Sequence, residues 1–368
     1  MSSRLLSRLD AEIAAAKHPL KADCLRAERA GFLARQGHLD EARQVLSSLH
    51  MQYAAHPHAV MSAWLSLGEG LLSHFSDLAP AAHDRMRRAY ALSGAARDMK
   101  LHALAAAWLA HMDYTQYDFE AMVRHVGEAL KLSAPTDHGT RSRASLVIAQ
   151  AYHFGGRFDL AQPWYAQVRQ HGNADGDEAT LSALMHNMAW LHANHARQQV
   201  LTRAPGEAAV APQVLMGAES TGNFDVLVGT ASLDALVPIL RAQILSLQGR
   251  PADALVLYEQ HMSHAMVQGL ARMQASLRAD MACCRLQLGE PRRAMQDATA
   301  ASQVVDQESD LDDRAAAHSR LARVFAELGE AEKAERHARR AAQDWTAHER
   351  DQTAVVTALD RLVASLPP

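Results

Sequence analysis

Small and apolar residues recur along the chain at a helical spacing, and the whole pattern returns about every 40 residues. In the segment 325–342, Gly329 is followed by Ala334, Ala338 and Ala341, which lie five, nine and twelve positions later. Residues spaced by four and seven share one face of a helix, so a helix is predicted after the glycine. The same frame recurs at Gly37 with Ala42, Leu46 and Leu49, at Gly156 with Ala161, Tyr165 and Val168, at Gly249 with Ala254, Tyr258 and His261, and at Gly289 with Ala294, Ala298 and Ala301.

Each repeat is predicted to contain two helices joined by a turn. The turns are placed at 37, 77, 117, 156, 196, 249, 289 and 329. A small residue stands seven positions before each turn: Ala30, Gly70, Ala110, Ala149, Ala189, Ala242, Ala282 and Ala322. Glycine at the turn suits the positive φ that ends many helices, and small residues let two helices approach closely. Pro251 and Pro291 fall at the start of a second helix, where no N–H is needed.

The small first-helix residue, the turn glycine and the Ala-x3-apolar-x2-Ala pattern resemble the tetratricopeptide-repeat family. The longer period resembles the longer-helix sensor arrays of some bacterial regulators. The resemblance implies an all-α fold, a right-handed α-solenoid of about eight antiparallel helix pairs plus a C-terminal capping helix.

The repeat frame divides the chain into three segments. Tetratricopeptide-like repeats are expected over 1–202 and over 232–368, where the second segment ends in the capping helix. Between them, 203–231 is rich in proline and glycine and is predicted to be an irregular insertion, a loop with a short helix. The two outer segments are expected to form one continuous solenoid.

Composition and charge exclude several classes of protein. The chain of 368 residues has a net charge of −4 and no basic block, which argues against a nucleic-acid partner. The longest apolar run, 103–110, is too short to span a membrane. Cys24, Cys283 and Cys284 form no metal or disulfide pattern. A cytoplasmic protein with no membrane association is therefore expected.

The sequence contains no catalytic or cofactor-binding motif that we could identify. The 21 histidines include His186, His192 and His195, but a helix would direct these three side chains to different sides. We therefore expect no enzymatic activity, no cofactor and no metal site.

In the family that the chain resembles, first-helix residues about 13, 10, 9, 6, 3 and 2 positions before the turn face the concave side. In the second to fifth repeats these positions are rich in aromatic, amide, imidazole and guanidinium groups, which are typical of a recognition surface. The predicted ligand- or partner-binding residues are Trp64, His74, Phe75, Trp108, His111, Tyr114, Arg143, Gln150, His153, Phe154, His186, Asn187, Trp190 and Asn194. The alternative is that neighbouring repeats bury these aromatic residues.

Two functions are compatible with these features. The first is a regulatory, non-enzymatic module that holds a peptide or a small-molecule signal in the concave groove. The second is a structural scaffold or adaptor for a protein partner, without small-ligand binding. The sequence leaves the oligomeric state open.

Overall fold

The structure, a computed structural model, describes residues 3–203, 210–308 and 310–366. Within these ranges the chain forms α-helices and one short 3-10 helix, and no β-strand. The predicted all-α fold is confirmed.

The α-helices are α1 (Arg4–Ala15), α2 (Pro19–Gln36), α3 (Leu39–Ala54), α4 (Ala59–Asp77), α5 (Ala81–Ala95), α6 (Met99–Thr115), α7 (Phe119–Leu132), α8 (His138–Phe154), α9 (Phe158–Asp175), α10 (Glu178–Thr202), α11 (Pro212–Val228), α12 (Leu236–Leu247), α13 (Pro251–Val267), α14 (Gln274–Gln287), α15 (Pro291–Glu308), α16 (Leu311–Glu327) and α17 (Ala331–Ser365). The 3-10 helix is Leu270–Met273.

Consecutive helices form packed pairs: α2 with α3, α4 with α5, α6 with α7, α8 with α9, α12 with α13, α14 with α15, and α15 with α16. The turns within the predicted pairs have the positive φ that the glycines indicate, at Gly37, Gly156, Gly249, Gly289 and Gly329. Where the frame has no glycine, Leu78 (φ 53°) and Tyr117 (φ 60°) take the left-handed conformation instead. Because these residues carry a Cβ, their turns are more strained than the glycine turns.

Small residues lie at the crossing of the two helices of a pair. Ala30, Ala110, Ala149, Ala242 and Ala282, each seven residues before a turn, are fully buried. At the equivalent position in α4, a Cβ added to Gly70 would lie 2.9 Å from Cε of Met86 in α5. Larger side chains at these positions would therefore separate the helices.

The chain divides into two compact units. Unit 1 comprises Met1–Met185, Asn223–Leu233 and Thr353–Pro368, and unit 2 comprises His186–Gly222 and Asp234–Gln352. The core of unit 1 includes Leu67, Leu101 and Leu109, and that of unit 2 includes Ile239 and Tyr258. Continuity of one solenoid through both units stays a prediction.

The turn predicted at 196 is wrong, because α10 continues from Glu178 to Thr202 without interruption. The sequence between these residues has neither glycine nor proline, so no residue favours a turn at Ala196.

The segment 203–231 is more regular than predicted. Residues 204–209 lie outside the described residues, but Pro212–Val228 forms α11, a helix of 17 residues rather than a short one. Pro212 begins this helix, where its missing N–H is tolerated. Gly222 accommodates close packing, since a Cβ there would lie 3.3 Å from Cγ1 of Val237. Pro212 and Gly222 therefore serve a helix rather than a loop.

The predicted capping helix is the last part of α17, which runs without a break over Ala331–Ser365. Its residues Val355 and Leu359 are fully buried. In unit 1, Oη of Tyr152 donates a hydrogen bond to Oδ1 of Asp360 at 2.9 Å. This helix is therefore packed rather than free.

All three cysteines are unpaired thiols, and Cys283 and Cys284 are buried. None of the helices within the described ranges is both long enough and apolar enough to cross a bilayer.

Gly289→Ala tests the importance of the positive-φ turns. Gly289 has φ 77° and no atom within 4 Å of an added Cβ, so backbone strain alone should lower the free energy of unfolding by about 1 kcal/mol. The control is Gly217→Ala in α11, where the space is equally open and φ is not positive. That change should raise stability by about 0.5–1 kcal/mol. Equilibrium unfolding in urea measures both, and equal effects of the two changes would contradict the prediction.

Candidate functional site

First-helix side chains of unit 1 surround a cavity of about 70 Å³. Its wall includes residues of α2, α4, α6 and α8, together with Leu5 and Leu9 of α1. Three predicted binding residues, Trp64, Trp108 and Arg143, line it. A single buried water occupies about 10–15 Å³ of such a cavity, so this one has room for several waters or one small chemical group.

Two glycines on the wall, Gly31 of α2 and Gly68 of α4, allow close packing against side chains of α4 and α3. A Cβ on Gly31 would lie 2.8 Å from Cδ1 of Leu71, and one on Gly68 would lie 2.7 Å from Cδ2 of Leu46. Real Cβ contacts are longer than these distances, so an alanine at either position would force the neighbouring leucine to move. The shape of the cavity therefore depends on these two glycines.

The indole of Trp108 lies next to two guanidinium groups. Cζ of Arg143 is 3.7 Å from the ring centroid, and Cζ of Arg35 is 5.5 Å from it. Both distances are within the range of cation–π attraction.

Arg35 is compensated by an acidic partner. Its Nη2 donates to Oδ1 of Asp177 at 2.8 Å and to Oγ1 of Thr180 at 2.6 Å. The carboxylate of Asp177 also accepts from the Thr180 backbone N–H at 2.8 Å. This acidic charge is therefore already engaged.

Arg143 is not compensated. Its side chain is buried, with 3% exposure, and neither Nε nor Nη2 has a hydrogen-bond partner among the described residues. The pKa of Arg143 is lowered to about 9, mainly by burial and also by the positive charge of Arg35, whereas the charge of Asp177 acts in the opposite direction. The group is still a cation at neutral pH. A buried cation with unsatisfied N–H groups is unfavourable in a folded protein.

The other acidic groups of the wall are paired or have a raised pKa. Asp175 forms an ion pair with Arg8, whose Nη1 lies 2.9 Å from Oδ1 of the aspartate. The pKa of Glu28 is raised to about 7, mainly by burial; the charge of Lys100 acts against this shift and that of Asp175 adds to it. The charge of Arg8 lowers the pKa of Glu28, and the charge of Glu12 raises it. Glu28 is therefore partly protonated at neutral pH.

Two more predicted residues have buried polar atoms without a partner in the described part of the chain. These atoms are Nδ1 of His111 and Oε1 of Gln150. Burial lowers the pKa of His111 well below its usual value, and the charge of Arg143 and the ring of His74 act in the same direction. The imidazole is therefore neutral at physiological pH.

The other predicted residues of unit 1 pack against aromatic rings. His74 contacts Phe75 and His111 edge-on, with ring centroids 5.0 and 5.4 Å apart. Tyr114 contacts Phe154 edge-on at 6.3 Å. These four predicted residues do not line the cavity.

Five of the ten predicted unit 1 residues do not line an open groove, and the binding role of the ten stays a prediction. Trp108, His111, Arg143, Gln150 and His153 are buried where α6 and α8 pack against each other and against α7 and α9. His153 has a structural partner, since its Nδ1 lies 2.9 Å from Oη of Tyr165.

The remaining predicted residues, His186, Asn187, Trp190 and Asn194, belong to unit 2. They are partly buried. Trp190 and Leu215 both pack against the cluster that contains Leu240 and Ile244. Nδ2 of Asn194 donates to Oδ2 of Asp312 at 3.1 Å. For Trp190 and Asn194 the structure favours packing within unit 2.

Sequence reasoning missed four charged residues of the wall: Glu28, Arg35, Asp175 and Asp177. Glu28 and Arg35 precede Gly37 by nine and two positions, so the same register, applied to the first repeat, identifies them. Asp175 and Asp177 flank the turn at Gly176, which lies outside the repeat frame.

Comparison with known proteins identifies a similar fold. No family model matches the chain, and no curated protein does. Among solved structures, a Rap protein complexed with Competence and Sporulation Factor superimposes with a TM-score of 0.57 at 11% sequence identity. The match covers 94% of this chain and 98% of that chain. The similarity shows a shared tetratricopeptide-like helical-repeat fold.

Arg143→Met tests whether Arg143 destabilises the protein. Removing an uncompensated buried charge should raise the free energy of unfolding by about 1 kcal/mol, despite the lost cation–π contact. The control is Arg197→Met in unit 2, a buried arginine whose Nη2 lies 2.7 Å from Oδ1 of Asp313. That change leaves a buried carboxylate unpaired and should lower stability by about 3–5 kcal/mol. A similar loss for Arg143→Met in urea unfolding would contradict the assignment.

Glu28→Gln should remove a pH dependence of stability. With a pKa raised from 4.5 to about 7, Glu28 retains its proton in the folded state at pH values where the unfolded chain has lost it. The wild type should therefore lose stability relative to Glu28→Gln as pH rises from about 4.5 to 7, with no further change above that range. Urea unfolding of both proteins at pH 5, 6, 7 and 8 measures the difference. A constant difference would show that Glu28 is ionised in the folded protein throughout.

Proposed function

We propose that this protein is a non-enzymatic regulatory module that binds a peptide or a small ligand through the first-helix side chains of unit 1. One observation carries the proposal: three of the predicted binding residues, His111, Arg143 and Gln150, have buried polar atoms with no partner in the described chain. Residues retained only for packing would be expected to be apolar or to have partners, as His153 does.

The positions of these residues also favour ligand contact. His111 and Gln150 each lie six positions before the turn of their pair, and Arg143 lies thirteen before. The three therefore share the register in which the resembled family binds ligands, and they occupy the neighbouring helices α6 and α8. A ligand that hydrogen-bonds to these groups would remove an existing penalty, and this would favour binding.

The similarity in fold supports the same function. The solved Rap structure contains Competence and Sporulation Factor, so a chain of this fold can hold a second molecule. We extend the comparison to the longer-helix sensor arrays of bacterial regulators, whose period this chain shares. A cytoplasmic location agrees with the three free thiols.

A structural scaffold for a protein partner is the second candidate. Two large apolar side chains at the end of α11, Val226 and Leu227, are 85% and 64% exposed. Apolar side chains that protrude together are typical of protein–protein contact. This function would not need the unsatisfied polar groups of α6 and α8.

A thermal-shift screen with short peptides and metabolites separates the two functions. A ligand at 100 times its Kd should add about 2.7 kcal/mol of stability, which raises Tm measurably. Gln150→Leu, which keeps the size of the side chain but removes its unpartnered carbonyl, should remain folded and lose this response. Gln287→Leu in unit 2 is the control and should respond like the wild type. If neither the peptides nor the metabolites raise Tm, or if they raise it equally in Gln150→Leu and the wild type, the scaffold function is favoured.

A further inference from the structure

We infer that the ligand of unit 1 presents a carboxylate to Arg143 in the cavity. The inference rests on the proposed function and names the chemical class that this site would select. It applies both to a free organic acid and to a carboxylate of a peptide.

The unpartnered atoms of Arg143 form the edge of the guanidinium that suits a carboxylate. The N–H bonds of Nε and one of those of Nη2 are parallel and lie in one plane. The two oxygens of a carboxylate accept this pair of donors simultaneously, the bidentate arrangement common in proteins. Because both donors lack partners in the described part of the chain, no existing bond has to break.

The charges around the cavity favour a monoanion. Asp177 is compensated by Arg35 at 2.8 Å, and Asp175 by Arg8 at 2.9 Å. Arg143 is therefore the uncompensated cation among the charged side chains that the structure describes on the wall. One carboxylate would neutralise it. A phosphate dianion would leave a buried negative charge close to two aspartates, which is unfavourable.

Glu28 lies on the wall of the same cavity as Arg143, so its charge should make the binding sensitive to pH. The charged groups that act on it are Lys100, Asp175, Arg8 and Glu12, and burial opposes its ionisation most strongly. In its protonated form Glu28 does not repel an incoming anion. Because its pKa is about 7, the ionised form accumulates above neutral pH, and the affinity for a carboxylate should decrease there.

The size and lining of the cavity limit what accompanies the carboxylate. A volume of about 70 Å³ accommodates a carboxyl group and a short aliphatic segment. Trp64, Trp108 and Leu71 supply apolar surface for that segment. Nε and Nη2 of Arg143 are buried in the free protein, so neighbouring side chains must move before the carboxylate reaches them.

Acetate and propionate are suitable minimal probes, with acetamide and propionamide as neutral controls of the same shape. The full chain, labelled with ¹⁵N, is titrated while the arginine Nε–H signals are followed by NMR. The Arg143 signal, assigned by its loss in Arg143→Met, should shift saturably with both acids and not with the amides. One hydrogen-bonded charge contact corresponds to at least about a tenfold difference in affinity. Raising the pH from 6 to 8 should weaken acetate binding in the wild type but not in Glu28→Gln.

Arg141→Met is the matched control variant. Arg141 also lies in α8, but its Nε donates to the carbonyl of Ala134 at 2.8 Å, and it does not line the cavity. This variant should bind propionate as the wild type does, whereas Arg143→Met should bind it at least tenfold more weakly by calorimetry. Equal binding of acids and amides, unchanged affinity in Arg143→Met, or tighter binding of inorganic phosphate than of propionate would overturn the inference.

Peptide probes distinguish the source of the carboxylate and separate this inference from the proposed function. Peptides with a free C-terminus, with an amidated C-terminus, and with or without glutamate are compared with free dicarboxylic acids in Tm shift. Stabilisation that depends on a carboxylate and on Arg143 supports both proposals. Stabilisation by neutral ligands that persists in Arg143→Met overturns the carboxylate inference and leaves the binding function intact. Saturable propionate binding at Arg143 without stabilisation by any peptide or metabolite supports the anion site and contradicts the wider function.

Discussion

Close approach of helices at small residues is the constraint on which the rest of the structure depends. Alanines seven positions before and five after the turns are fully buried, as Ala149 and Ala161 are in the pair α8 and α9. A larger side chain there would move the helices apart and change the position of every residue on their other faces. Those faces supply the cavity of unit 1, so the geometry of the site follows from the packing of the pairs behind it.

Arg143 shows how this packing can maintain an unfavourable group. The cation–π contact with Trp108 offsets part of the free-energy cost of burying the charge. It provides no hydrogen bond for Nε or Nη2. Unsatisfied polar groups of this kind occur most often where a protein acts, because packing alone would favour an apolar residue.

The turns were predictable because their cause is local. A glycine with positive φ ends a helix whatever surrounds it, and Gly249 and Gly289 behave as expected. The continuity of α10 was not predictable from the repeat spacing. The degenerate repeat keeps the spacing of the others, but it has no residue that ends the helix at the expected turn. Register alone also could not separate Arg143 from His153. The difference lies in a tertiary contact, the hydrogen bond between His153 and Tyr165, and the partner of Arg35 likewise lies 142 residues away.

Gly31 controls the volume of the cavity. It lies on the cavity wall, and any side chain there would extend towards Leu71 and fill part of the space. The volume available to a bound molecule and the charge that it must carry are therefore controlled by different residues. During evolution, one substitution at this glycine could narrow the range of acceptable molecules by length while their required charge stayed the same.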